Sequence, residues 1–190
     1  NGAEPGDVKF ANLDGSEDGK ITADDRTILG YKKENFRMSF GNTFRYKDFE
    51  LYMLFTGIFG GNGYGQAVNY YAFRTSSDVQ GDNNFNHGWW TPENKSNKYP
   101  RINYTDGRYT PLQGYGFVRL QDLSLSYTFR QPWVQKAGIG NLKVYMACKN
   151  LFTISGWEGG DPEVQQTLGS GYTYGYPLSR TVSFGLNLTF

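Results

Sequence analysis

Hydrophobic and polar residues alternate with a period of two in five segments of this chain, and such alternation predicts β-strands. The segments span residues 36–46, 49–57, 116–129, 142–154 and 182–190. In the first of them Phe36 and Met38 flank Arg37, so that the apolar side chains share one face. Only Lys47 and Asp48 separate the first two segments, which predicts a tight hairpin turn between them.

The predicted strands are long, with 9 to 14 residues each. Strands of soluble proteins usually have about 5–6 residues, whereas a tilted strand that crosses a bilayer needs about 9–11. Their length therefore favours a membrane β-structure. A soluble β-sandwich remains an alternative, because its strands also present one apolar face to a core.

The connections between the predicted strands also favour a membrane barrel. Residues 47–48 and 130–141 form the shorter connections, and residues 58–115 and 155–179 form the longer ones. If the chain ends in the periplasm, both long connections and the segment 1–35 fall on the outer side. Outer-membrane barrels have this arrangement of short periplasmic turns and longer outer loops.

We therefore predict an all-β fold, an antiparallel transmembrane β-barrel segment with long extracellular loops. Residues 1–35 would form an extracellular segment, and residues 36–190 would contain the strands. Five strands are too few to close a barrel, since bacterial single-chain barrels have at least about eight. An open sheet would expose unpaired backbone to lipid at both edges. We expect the C-terminal part of a larger barrel, closed by upstream sequence or by other chains.

Composition excludes several other classes of protein. The 190 residues carry a net charge of +1, which provides no basic surface for nucleic acid. The single cysteine, Cys148, excludes an internal disulfide framework, and the single histidine, His87, leaves little for catalysis. Glu158, Asp161 and Glu163 are close in sequence, but we interpret them as loop residues rather than as a catalytic pair. We therefore expect no enzyme activity.

The last segment ends on a terminal phenylalanine and resembles the C-terminal signal that the outer-membrane barrel assembly machinery reads. The residues that carry this pattern are Ser183, Gly185, Leu188 and Phe190. The apolar positions would face lipid, and the glycine would relieve crowding between strands.

Several collinear motifs resemble the SusC/RagA family of TonB-dependent outer-membrane transporters. They lie at residues 6–10, 18–21, 25–30, 116–127, 149–153, 160–163 and 176–181. The resemblance implies a plugged outer-membrane barrel of about 22 strands that imports oligosaccharides or peptides. It also implies energy supplied through TonB, a SusD-like surface lipoprotein as partner, and a TonB box and plug in upstream sequence. The alternative is a soluble or secreted calcium-binding β-domain, either a carbohydrate-binding or an adhesin-like module.

A twelve-residue acidic segment has the spacing of a calcium-binding loop. Its predicted ligands are Asp14, Ser16, Asp18, the carbonyl of Lys20, Thr22 and Asp25. Gly19 stands at the sixth position, where such a loop turns sharply. Asp25 replaces the usual glutamate at the twelfth position, which shortens the reach and should weaken binding. Because the spacing of the other oxygens fits such a loop, we still predict calcium as a structural cofactor.

Two alternatives to this ligand set stay open. Asn12 and Asp14 could be the first two ligands, with Ser16 and Glu17 as an insertion, or the segment could be a polar turn that binds no metal. Thr22 is in addition a good cap for a short helix that would run to about residue 29.

Aromatic residues are frequent in the long connections, where they can pack loops, contact a partner or stack on sugar rings. They are Tyr64, Tyr70, Tyr71, Phe73, Phe85, Trp89, Trp90, Trp157, Tyr172, Tyr174 and Tyr176. We favour packing and partner contact, and we assign no substrate-binding residue. A second group of aromatic residues lies near the short connections and is typical of an interfacial belt. It contains Phe44, Tyr46, Phe49, Tyr127, Phe129 and Trp133.

Overall fold

The computed structural model describes residues 4–16, 19–64, 88–102, 104, 112–158, 160–164 and 177–190. Among these residues the strands are β1 Glu34–Tyr46, β2 Phe49–Gly60, β3 Asn62–Tyr64, β4 Leu112–Gly114, β5 Phe117–Phe129, β6 Asn141–Ser155 and β7 Thr181–Thr189. A 3₁₀-helix at Ala23–Asp25 and the helix α1 at Pro132–Lys136 accompany them, and residues 162–164 are also helical.

The five predicted strands form one antiparallel sheet in the order β1-β2-β5-β6-β7. Lys47 and Asp48 connect β1 to β2 as predicted, and Lys47 has a φ of 52° in this turn. The strands run between two ends of the sheet. The end that contains this turn, α1 and the last residue of β7 is called the turn end. The opposite end, where β2, β6 and the segment before β1 join the long connections, is called the loop end.

The register places one apolar row across all five strands. Phe44 pairs with Leu51, Leu51 with Leu125, Leu125 with Met146, and Met146 with Phe184. Phe44 and Phe184 are 54% and 78% exposed, although both are large and apolar. This side of the sheet, the apolar face, is therefore built to contact something other than water.

The neighbouring row has the opposite character. Arg45 pairs with Glu50, Glu50 with Ser126, Ser126 with Tyr145, and Tyr145 with Gly185. Because successive side chains of a strand point to opposite faces, this row defines a polar face on the other side of the sheet.

A double irregularity interrupts this register near the loop end. Gln121 is an extra residue of β5 opposite β2, and Asn150 and Leu151 of β6 both lie opposite it. The bulge moves the apolar positions of β5 from odd to even numbers, so that Leu120 and Leu123 share the apolar face. Asn150 adopts a φ of 51° here.

One sequence prediction needs correction at the loop end. Residues 58–115 are not a connection throughout, because β2 continues to Gly60 and β3 pairs with β4 beyond it. Gly60 and Gly61 have φ values of 76° and 77° and turn the chain between β2 and β3. Residues with a side chain rarely adopt this conformation, which explains the paired glycines.

The predicted helix from Thr22 to residue 29 is also wrong. Thr22 caps Asp24 and Asp25 as expected, but the 3₁₀-helix ends at Asp25 because Arg26 has an extended backbone with ψ of 132°. The connection 130–141, in turn, contains the unpredicted helix α1, which has Pro132 in its first turn. In the described part of the chain, no helix is long and apolar enough to cross a membrane.

A small buried cluster lies on the polar side at the loop end. It contains Ile58, Tyr115, Phe117 and Trp157, which are 2% to 8% exposed. Asn62 N–H donates to the carbonyl of Tyr31 at 2.8 Å, so the segment before β1 is fastened to β3. The loop end therefore has a packed interior in the described part of the chain.

Candidate functional site

A buried arginine organises the loop end on the polar face. Arg119 of β5 is 2% exposed, and its Nε donates to Thr153 Oγ1 of β6 at 2.9 Å. Its two terminal nitrogens donate to Asp161 at 2.6 Å and to Glu163 at 2.5 Å. The planar guanidinium of arginine suits such multiple recognition of carboxylates. The guanidinium also lies over the ring of Phe117, 4.8 Å from its centroid.

Asp161 joins two parts of the connection that follows β6. Its Oδ1 accepts the backbone N–H of Glu163 at 3.0 Å, and its Oδ2 accepts the N–H of Leu178 at 3.3 Å. Arg119 thus holds residues on either side of the undescribed segment 165–176 against the strands. This use of Asp161 and Glu163 agrees with their interpretation as loop residues.

The third of these carboxylates anchors a different contact. Glu158 accepts hydrogen bonds from Lys98, from the Tyr99 hydroxyl at 2.8 Å and from Gln113 at 3.2 Å. Burial raises the pKa of Glu158, but these hydrogen bonds and the charge of Lys98 lower it by more. The pKa of Glu158 therefore lies below its usual value. The hydrogen bond to Glu158 in turn raises the pKa of Lys98. Glu158 therefore acts as a charged anchor between three segments.

The N-terminal segment is fastened to the same region. Arg101 contacts Asp7 at 2.7 Å and Glu4 at 3.1 Å, and the hydrogen bond to Asp7 raises the pKa of Arg101. Gly6 has a φ of 94°, and the ring of Trp90 occupies the space that a Cβ would need. Trp90 and Trp157 therefore serve in loop packing.

Several sequence candidates lie outside the described residues. They are His87, Tyr70, Tyr71, Phe73, Phe85, Tyr172, Tyr174, Tyr176 and the predicted calcium ligand Asp18.

The structure brings part of the predicted calcium loop together. The side-chain amide of Asn12 donates to Ser16 Oγ at 3.4 Å and to the Lys20 carbonyl at 3.1 Å. Two predicted ligand oxygens thus converge on one positively polarised group. Asp14 Oδ1 accepts the N–H of Ser16 at 2.7 Å, which leaves lone pairs on Asp14 available.

Asp25, the predicted twelfth ligand, also accepts backbone hydrogen bonds within the loop. Its Oδ1 accepts the N–H groups of Leu13 and Asp14, and its Oδ2 accepts that of Thr22. The hydrogen bond from Thr22 is the main cause that lowers the pKa of Asp25. Since Oδ1 is filled, Asp25 offers one free lone pair, on Oδ2, rather than a bidentate carboxylate. Among the described residues no group of three or more His, Cys, Asp or Glu side chains could hold a metal.

The turn end carries the features of a membrane interface. Phe49 and Tyr127 lie 4.6 Å apart between ring centroids, Tyr127 and Phe129 4.7 Å, and Phe129 and Trp133 5.9 Å. On the polar face, Arg45 and Lys143 both contact Glu50, at 2.6 Å and 3.5 Å.

The predicted assembly signal lies on β7 and its end. Ser183 pairs with Ala147 on the polar face, and Leu188 pairs with Leu142 on the apolar face. Gly185 lies opposite Tyr145, and Phe190 is 89% exposed. Recognition by the assembly machinery stays a prediction.

Sequence reasoning missed the cations of the loop end: Lys98, Arg101, Arg119 and Arg180. A charged residue inside a predicted strand was the available signal for Arg119, but its acidic partners are more than 40 positions away in the sequence. The others lie in or beside long connections, where sequence spacing does not indicate which acids they contact.

The amino-acid sequence is similar to known receptors over nearly its full length. TonB-dependent receptor P3 of Formosa agariphila is 31% identical over 99% of this chain, and TonB-dependent receptor P26 of the same organism is 28% identical over 97%. TonB-dependent receptor SusC of Bacteroides thetaiotaomicron is 34% identical over 39% of this chain. The chain spans 19% of P3, 20% of P26 and 7% of SusC. No protein-family model matches it.

The fold is similar to solved structures of the RagAB peptide importer. The open-open state has a TM-score of 0.62 at 20% identity and matches 95% of this chain and 20% of the solved chain. The closed-closed state has a TM-score of 0.66 at 23% identity and matches 90% of this chain and 19% of the other. The open five-stranded sheet, with one apolar and one polar face, is thus a part of a larger barrel. Sequence and fold together identify the chain as a segment of the outer-membrane β-barrel of a TonB-dependent receptor of the SusC/RagA family.

Proposed function

We propose that the full-length protein imports oligosaccharides or peptides across the outer membrane with energy relayed by TonB. The similarity to TonB-dependent receptors over 99% of this chain carries this proposal. Because the chain spans only 19% of that relative, we assign the plug and the TonB-contacting segment to sequence outside it.

In this proposal the described sheet is a section of the barrel wall. The apolar face contacts lipid, and the polar face, with Arg45, Glu50 and Lys143, lines the lumen. In the same proposal the aromatic residues of the turn end lie at the periplasmic interface, and the C-terminus is on the periplasmic side. The loop end faces outward.

We propose that a SusD-like surface lipoprotein binds to the loop end. Two observations support a contact surface there. Ion pairs of Arg101, Arg119 and Glu158 fix the outer segments in a defined arrangement. Ile28 and Leu29, which lead into the segment fastened to β3, are 73% and 81% exposed.

Calcium binding by the loop Asp14–Asp25 is a separate proposal, with a structural rather than a transport role. The convergence of Ser16 Oγ and the Lys20 carbonyl on the Asn12 amide supports it, because a cation would be attracted to the same oxygens. Asp14, Ser16, Asp18, Lys20 and Thr22 would be the main ligands, with Asp25 as a single-oxygen ligand.

Deletion of the full-length gene tests the import function. We expect the deletion strain to lose uptake of one class of oligosaccharide or peptide, and we expect uptake to return with the intact gene but not in a strain that lacks TonB. Recovery of the full-length protein from the soluble periplasm or the medium, rather than from the outer membrane, would contradict the proposal. It would favour the soluble β-domain.

A further inference from the structure

A cavity of about 380 Å³ lies at the loop end, between the strand ends and the connection that follows β6. Its lining includes Arg119, Thr153, Trp157, Asp161, Pro177 and Arg180. The volume is within the range of small-molecule sites, roughly 300–1,000 Å³. We call it the Arg180 cavity.

Three side-chain acceptors in its wall, Asp161, Thr153 and Ser155, are already engaged. Asp161 accepts from Arg119 and from two backbone N–H groups. Thr153 Oγ1 accepts from Arg119, and Ser155 Oγ accepts the N–H of Trp157 at 3.1 Å. These three side chains therefore have little to offer a ligand that donates hydrogen bonds.

Two donors in the wall, by contrast, are unused. Trp157 is only 8% exposed, yet its Nε1–H has no partner among the described residues. A buried donor left without an acceptor is unfavourable and rare in native structures. Arg180 is exposed and carries up to five N–H donors, and its side chain forms no hydrogen bond or ion pair with the described part of the chain.

The charges of the lining complete this pattern. Arg119 and Arg180 are positive and Asp161 is negative, and Arg119 contacts Asp161 at 2.6 Å as well as Glu163 outside the lining. Among the described lining residues, the exposed Arg180 is therefore the cation that contacts no carboxylate. What the cavity lacks is an anionic acceptor.

The backbone around the bulge positions Arg180. Asn150, at the bulge of β6, donates from its side-chain amide to the carbonyl of Ser179 at 3.2 Å. This contact fixes the residue directly before Arg180. Bulges are over-represented beside functional sites because they re-aim side chains and end regular pairing.

We propose that the Arg180 cavity is a subsite for a carboxylate group of the imported ligand, with Arg180 and the Trp157 Nε1–H as its donors. The proposal rests on the import function given above. The carboxylate belongs either to a uronic acid of an acidic oligosaccharide or to an acidic peptide, and the two sources share this recognition chemistry.

Ligand binding to the full-length purified receptor tests the subsite. The probes are a trigalacturonate and a triglutamate peptide, each compared with its neutral counterpart, a galactose trisaccharide and a triglutamine peptide. We expect one acidic probe to bind at least about tenfold more tightly than its neutral counterpart, which corresponds to about 1.4 kcal/mol. Arg180→Gln should remove most of this preference, and Arg180→Lys should retain part of it.

Two further variants separate the subsite from general effects. Trp157→Phe removes the N–H but also leaves a smaller ring in a buried position, so some loss of melting temperature is expected. Binding of the acidic probe should weaken several-fold, whereas binding of the neutral probe should not change. Lys136→Gln removes an exposed charge from α1, at the other end of the sheet, and should change nothing.

Equal binding of acidic and neutral probes, or an acidic preference that survives Arg180→Gln, would overturn the subsite. Import of a neutral ligand by the wild-type receptor would still support the import function in that case. Failure of the wild-type receptor to import any ligand, by contrast, would overturn the import function itself.

Discussion

Gly185 of β7 lies directly opposite Tyr145 of β6, and the Tyr145 ring occupies the space that a Cβ at position 185 would need. The contact is with the far end of the tyrosine ring, so Tyr145 could move away at moderate cost. A glycine is required here by its neighbour and not by its own backbone angle.

We expect Gly185→Ala to weaken the pairing of β6 with β7, at a cost of about 1–3 kcal/mol for the crowded contact. The measurement is the fraction of full-length receptor that folds, assessed by heat-dependent mobility in gel electrophoresis. Replacement of Tyr145 by Ser in the Gly185→Ala variant removes the crowding ring and should restore folding. If the double variant folds no better than Gly185→Ala, the contact is not the reason for the glycine.

Leu186→Arg tests the assignment of the two faces. Leu186 is 60% exposed on the apolar face, so a charge there should cost about 2–4 kcal/mol if it lies near the middle of the membrane. Asn187→Arg places the same side chain on the polar face and should be much less harmful. Denaturant unfolding in detergent or lipid measures both, and a larger effect at Asn187 would mean that the faces are reversed.

Removal of Arg119 should release the connection that follows β6. Asp161 and Arg119 are 8% and 2% exposed as side chains, and loss of one partner from a buried pair typically costs about 3–5 kcal/mol. We expect Arg119→Leu to increase hydrogen exchange around Asp161 and Leu178 in the full-length receptor. Exchange at the turn end, for example around Trp133, serves as the internal control and should not change.

The contact of Glu158 with Lys98 and Tyr99 should weaken in acid. The pKa of Glu158 in the folded protein lies below the ordinary glutamate value of 4.5, so folding favours its ionised form. Its stabilising contribution is therefore complete above about pH 4.5 and is lost as the pH falls through the lower folded value. Hydrogen exchange near Tyr99 and Gln113, expressed relative to the intrinsic rate at each pH, should rise in this range, and Glu158→Gln should abolish this rise. A rise of the same size in the variant would assign the effect to other groups.

Calcium chelation tests the loop Asp14–Asp25. We expect chelator to raise hydrogen exchange in this segment of the full-length receptor, and added calcium to reverse the change. Asp14→Asn keeps an acceptor for the Ser16 N–H and removes the charge, so it should weaken calcium binding without unfolding the loop. Unchanged exchange with and without chelator would favour the polar turn that binds no metal.

Sequence reasoning succeeded where the rule is local. Alternation over 9 to 15 residues is a repeated signal, so all five long strands and the Lys47–Asp48 turn were predictable. The short strands β3 and β4 and the helix α1 were not, because 3 to 5 residues carry too few periodic positions. The predicted helix after Thr22 failed for a related reason: a cap starts a helix, but no amphipathic pattern continued it.

The contacts of the loop end belong to the other category. Arg119 and Asp161 are 42 positions apart, and Tyr99 and Glu158 are 59 apart. Many acids and bases could pair at such separations, and only the packed chain selects among them. The role of Asp25 also depended on geometry, because its position in the sequence suits a metal ligand and a backbone cap equally well.

The sequence by itself thus determined the strands, their apolar and polar faces and the family resemblance, since these follow from side-chain alternation and local motifs. The tertiary structure decided the bulge at Gln121 and Asn150, the partners of Arg119 and Glu158, and the unused donors of Trp157 and Arg180. Those features depend on which distant residues meet in space. Burial and the need to pair buried hydrogen-bonding groups select these contacts in the folded chain, and a local sequence pattern does not predict them.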